Sequence, residues 1–180
     1  SSFSGIATVV STWGYYSQWS NYNWGADFYV VKNSTFSHFR TMPNTGSVAY
    51  QDMCLNAGGS NYTEISDNTL TGCGVGIFMP RTNFYYYYNQ SYWGADDAII
   101  DGNTFVNTET LEIWFYLNSY ADGVEITNNV FTGSSSPSYG IYSQDATVDD
   151  LLIDGNTFYN SQQAIYMRGA VDWTMTDNTI

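Results

Sequence analysis

The phrase "IIDGNTF" runs from Ile99 to Phe105 and returns as "LLIDGNTF" from Leu151 to Phe158, and four looser versions end at Phe36, Leu70, Phe131 and Ile180. Repetition of this kind constrains the fold more than any other feature, because a repeated phrase is a repeated piece of structure. Aligned on their closing residues, the six phrases share one register. Five places upstream stand Val31, Ile65, Ile100, Ile126, Ile153 and Met175, all apolar. Two places upstream stand Ser34, Asn68, Asn103, Asn129, Asn156 and Asn178. The closing residues are 34, 35, 26, 27 and 22 positions apart, too uneven for a solenoid whose helices fix the period.

Alternating β-branched and aromatic residues broken by Gly and Asn argue for short strands. Strands that recur at a variable period, with Asn at a fixed turn, describe a parallel β-helix. Equivalent strands of successive coils then lie about 4.8 Å apart, apolar side chains stack inside, and Asn amides form a ladder at the turn. Loops absorb the variation in length. The expected ladder is Asn68, Asn103, Asn129, Asn156 and Asn178. A second strand follows most corners, at Gly76–Phe78, Glu112–Trp114, Gly140–Tyr142 and Ala164–Tyr166, with Ile77, Ile113, Ile141 and Ile165 inward. A gapless match between "WGADFYVVKNSTF" from Trp24 and "WGADDAIIDGNTF" from Trp93 supports the register. The first 23 residues read as an earlier coil, with "GIA" at Gly5 as a degraded second strand.

The pattern N-x-[FL] followed by [GA]-I-x-[aromatic] resembles the right-handed parallel β-helix repeat of pectate-lyase-like proteins and of many bacterial and archaeal surface proteins. That resemblance covers nearly the whole chain from about Val30 and implies fold, not function. The expectation is therefore an all-β, right-handed parallel β-helix of about six to seven coils with irregular aromatic-rich loops, one domain over residues 1–180. Because Ile180 falls on an inward position, we expect a segment of a longer protein, or a subunit whose ends meet other subunits.

Charge narrows the partners. Four basic and 17 acidic residues give a net charge of −13, a surface that repels phosphate backbones and anionic lipid, so nucleic acid and membrane insertion are not expected. No apolar run approaches a membrane span, and any leader is expected to be absent or already removed before Ser1. A polar surface of Ser, Thr, Asn, Gly and Tyr points to an extracellular or cell-surface location. Cys54 and Cys73 are compatible with one disulfide or with two buried thiols. Sequons at Asn33, Asn61 and Asn89 offer glycosylation sites.

Candidate chemistry is sparse. Nine places before the closing residue stand Asp27, Asn61, Asp96, Asp122 and Asp149. Such a column starts strands by bonding turn amides, with calcium at Asp96, Asp122 and Asp149 as the metal alternative. The pairs Asp96–Asp97 and Asp149–Asp150 invite comparison with β-helical polysaccharide hydrolases and lyases, in which carboxylates act as acid and base. The other motifs of those families are missing: the only His is His38 and the only Lys is Lys32. His38 with Met42, Met53 and the cysteines is read as packing, not a soft-metal site. Outward Phe78, Trp114, Tyr142 and Tyr166 are expected to stack as an aromatic stripe that either stabilises neighbouring strands under covering loops or presents rings suited to sugars. The reading is a non-catalytic structural or adhesive module of a surface, sheath, filament or fibre, self-associating, joined to neighbouring domains or touching polysaccharide. A polysaccharide lyase or glycosidase is the alternative.

Overall fold

Alternation along a strand sends every second side chain inward, and a coil that repeats the alternation can stack on the next. The computed structural model describes residues 2–4, 10–11, 29–37, 53–57, 62–79, 82–84, 91–93, 97–108, 111–115, 120–133, 138–143 and 146–180. All regular structure among them is strand, and none of it is a helix long and apolar enough to cross a membrane.

Three parallel sheets wrap one core, and the chain visits them in rotation. The first stacks Ser2–Ser4, Thr35–Ser37, Thr69–Thr71, Thr104–Thr108, Val130–Gly133 and Thr157–Tyr159 in sequence order. The second stacks Val10–Ser11, Met53–Asn56, Val75–Met79, Leu111–Phe115, Tyr139–Ser143 and Gln163–Met167. The third runs from Tyr29–Lys32 through Thr63–Ser66, Ala98–Asp101 and Glu125–Thr127 to Thr147–Asp154, which also pairs with Tyr120–Asp122 and with Ala170–Thr176. This is a parallel β-helix.

The apolar column of the phrase is the third sheet's inner row: Val31 pairs with Ile65, then Ile100, Ile126, Ile153 and Met175. The closing residues form the first sheet's inner row, Phe36, Leu70, Phe105, Phe131 and Phe158. Ring planes there lie 15° apart for Phe105 on Phe131 and 9° for Phe131 on Phe158, with centroids 4.9 and 4.7 Å apart. Nearly parallel rings at one strand spacing are what identical residues in register produce.

Between these two sheets runs the amide column. Each Asn carbonyl accepts from both the backbone N–H and the Nδ2 of the Asn one coil earlier: Asn68 to Asn103 at 3.0 Å, Asn103 to Asn129 at 2.9 and 3.0 Å, and Asn129 to Asn156 likewise. Each Nδ2 also donates to an inner-row carbonyl, Asn129 to Ile100 O at 2.8 Å for example. Asn178 continues the run. Buried polar groups are thus matched along the axis, which a dry corner requires.

Three features differ from the expected layout. The second sheet begins with Val10–Ser11 and Met53–Asn56, which carry no [GA]-I signature, while "GIA" at Gly5 lies outside the described residues. The tyrosine-rich segment after Phe84 is flanked by Thr82–Phe84 and Ser91–Trp93, which pair antiparallel as a hairpin. Met175, although in the inner row, is 47% exposed at the last rung.

Candidate functional site

Strand alternation places Phe78, Trp114, Tyr142 and Tyr166 outward on the second sheet, in one register. Their surroundings are unequal. Phe78 and Trp114 are 0% and 8% exposed and join Met53, Val75 and Leu111 in a second apolar cluster outside the main core. Two of the four rings of the stripe are thus buried against neighbouring strands, the first of its two readings. Tyr142 and Tyr166 remain partly exposed and stack at 5.1 Å and 16°, with Tyr139 edge-on to Tyr142 at 5.1 Å. Tyr142 and Tyr166 thus present a two-ring platform with polar tips.

Three of the four paired acids are described. Asp97 and Asp150 are exposed residues with φ of 49° and 46°, the left-handed conformation that Asp tolerates at turns. Asp149 Oδ1 accepts the N–H of Asp150 at 3.1 Å, which is turn chemistry. Asp122 and Asp149 are level on adjacent rungs, and Val171 follows them. Among the described residues no group of three or more His, Cys, Asp or Glu could hold a metal ion. Asp96 and Asp27, and the sequons at Asn61 and Asn89, lie outside the described residues. Asn33 is exposed at a turn with φ of 51°.

Cys54 and Cys73 are joined, with Cα atoms 5.8 Å apart. They lie on neighbouring coils, so the bond clips one turn of the solenoid to the next. His38 and Met42 lie outside the described residues, and Met53 belongs to the second apolar cluster.

One residue that the sequence reading passed over stands out. Glu112 occupies the [GA] slot of the "EIW" segment, level with Gly76 and Gly140 on the rungs either side. It is 0% exposed, and neither carboxylate oxygen has a hydrogen-bond partner. Burial pushes its carboxyl up to about 8, because a low-dielectric site disfavours the charged form. The signal was present in the sequence: an acid in a position filled elsewhere by Gly76, Gly140 and Ala164.

The model of the family described as "Periplasmic copper-binding protein (NosD)" matches residues 81–180, more than half of the chain, and the chain belongs to that family. No curated protein and no solved structure gives a match.

Proposed function

We propose that this NosD-family chain is a non-catalytic β-helix module that works outside the cytoplasm, in the periplasm or at the cell surface, and contacts glycan through Tyr142 and Tyr166. The observation that carries the reading is the continuity of the amide and ring columns from coil to coil, which makes a stiff shaft. Of the candidate acids Asp96, Asp97, Asp149 and Asp150, Asp97 and Asp150 have left-handed backbone and Asp149 Oδ1 accepts the Asp150 N–H, which supports turn roles for them. The disulfide supports an oxidising compartment, in keeping with the word periplasmic in the family's description.

Copper, which the same description names, finds no group of three or more His, Cys, Asp or Glu among the described residues. Copper sites are built from thiolate, thioether or imidazole. Both cysteines are spent in the disulfide, and residues 81–180 contain neither Cys nor His, so the soft donors of that segment are Met167 and Met175.

The test is binding of the full chain to a panel of neutral and uronate polysaccharides, with product release assayed in parallel. Binding that weakens about tenfold in Tyr166→Ala, roughly one stacked ring's worth, with no release of sugar, is expected. Sugar release that disappears in Asp149→Asn overturns the reading.

A further inference from the structure

Stacked coils fill equivalent places with equivalent residues, so an exception in a column marks a place where one coil differs. On the second sheet one such column is Gly76, Glu112, Gly140 and Ala164 on successive rungs. Leu111 pairs with Val75 and Tyr139, and Ile113 with Ile77 and Ile141, which sets Glu112 level with the two glycines. A Cβ on Gly76 would meet the Phe105 ring at 2.8 Å, and one on Gly140 the Phe158 ring at 2.6 Å, in each case the ring of the next rung. The column therefore faces the stacked phenylalanines, and the ring one rung past Glu112 is Phe131. Glu112 is 0% exposed, and neither carboxylate oxygen has a hydrogen-bond partner.

We propose that Glu112 is a pH-sensitive device in the wall of the solenoid: its neutral carboxyl lets the Leu111–Phe115 rung close, and loss of the proton loosens that rung. No charge offsets a carboxylate from the strands around it. Val75–Met79, Thr104–Thr108 and Val130–Gly133 contain no titratable residue, and in Tyr139–Ser143 the two tyrosines pack in the second apolar cluster on the outer face. A carboxylate in such a place is stripped of water without gaining an opposite charge or a donor, the costliest state for a buried group. It is relieved by taking up a proton or by admitting water, and water enters only where the rung parts from its neighbours. The inference is independent of the tyrosine contact.

The sign follows from the direction of the shift. Burial pushes the Glu112 carboxyl up to about 8, above the ordinary glutamate range that it keeps in the unfolded chain. The stability it contributes is whole below that range, declines as pH rises, and is lost above about 8. Within the window the folding equilibrium constant falls about tenfold for each pH unit. Above it the folded chain itself carries the charge, and the rung opens locally.

Urea unfolding of the full chain from about pH 5.5 to about pH 9, beside Glu112→Gln and Glu112→Gly, isolates this group from His38, which all three chains share. Glutamine keeps the shape without the acid, and glycine restores the residue of the neighbouring rungs, so one reports where the other does not fold. The ratio of wild-type to variant folding constants is expected to fall about 100-fold between about pH 5.5 and about pH 7.5 and to level off above about 8. In hydrogen exchange at about pH 9, the Ile113 and Phe115 amides should lose at least about tenfold of protection relative to the variant and match it at about pH 5.5, while the Asn129 amide, bonded to Asn156 Oδ1, stays alike in both. A wild-type pH slope no steeper than that of the variants overturns the proposal, and so does an Ile113 amide equally protected in wild type and variant at about pH 9.

Discussion

Replacing Asn129 by alanine removes the middle of the amide column, and the structure says which groups are left behind. The Asn103 backbone N–H loses its acceptor, Asn129 Oδ1. Ile100 O loses the donor that Asn129 Nδ2 supplies, while Asn103 Nδ2 and Asn156 Oδ1 each lose one of several bonds. One buried N–H orphaned outright costs about 1–3 kcal/mol, and each further hydrogen bond about 0.5–1.5 kcal/mol. The sum is roughly 3–7 kcal/mol, a large share of the 5–15 kcal/mol that holds a domain together. Asn178→Ala makes the same deletion at the last rung, where the side chain is only partly buried and water can replace it, so about 1 kcal/mol is expected. Urea unfolding of the two variants measures the difference. Hydrogen exchange at the Asn103 amide gives the local reading, since that proton should exchange much faster in Asn129→Ala. Equal costs for the two variants, or an Asn103 amide that stays protected, would refute the idea that the ladder stabilises by sealing a dry corner.

Two further outcomes follow from the packing. Gly140→Ala puts a methyl 2.6 Å from the Phe158 ring and 2.5 Å from the Ala164 carbonyl, so about 1–3 kcal/mol of overpacking is expected in urea unfolding; a neutral result means that the rung can shift. Reducing Cys54–Cys73, which are 19 positions apart, should cost about 3 kcal/mol by loop entropy, seen as a lower midpoint in reductant and in Cys54→Ala/Cys73→Ala.

What could be read in the sequence was whatever every coil must repeat. Ile65, Ile100, Ile126 and Ile153 face inward for one reason in each coil, and Asn68, Asn103, Asn129 and Asn156 turn the same corner, so period and residue type agree. Met53–Asn56 escaped notice because its inward Leu55 stacks on Ile77 without the glycine that marks later rungs. For Phe78 and Trp114 the sequence left burial and exposure open. Alternation says which face of a strand a side chain leaves from, not what else the chain lays over that face. Glu112 was legible as an exception to its column, but its lack of a partner belongs to three dimensions.

The turn columns account for the placing of several of the acids of this chain. One place before the ladder asparagine, φ is positive at Asn33, Asp67, Gly102, Asn128, Gly155 and Asp177, and Asn, Asp and Gly are the residues that reach this conformation most readily. From Asp67 onward, side-chain-bearing residues and glycines alternate. The space explains it: a Cβ on Gly102 would stand 2.9 Å from Asp67 Oδ1, and one on Gly155 2.8 Å from Asn128 Oδ1. The polar side chains of Asp67 and Asn128 lie over the backbone of the next turn, where Gly102 and Gly155 leave room for them. Gly123 beneath Asp97 Oδ1 repeats the arrangement at the other corner, at 2.9 Å. Five of the 17 acids, Asp67, Asp97, Asp150, Asp172 and Asp177, stand at such left-handed turns. The same geometry bears on Asp96–Asp97 and Asp149–Asp150 as a catalytic motif. The second member of each pair is the turn residue, exposed and in left-handed geometry, so adjacency in sequence reflects the corner and carries no requirement that two carboxylates meet one substrate.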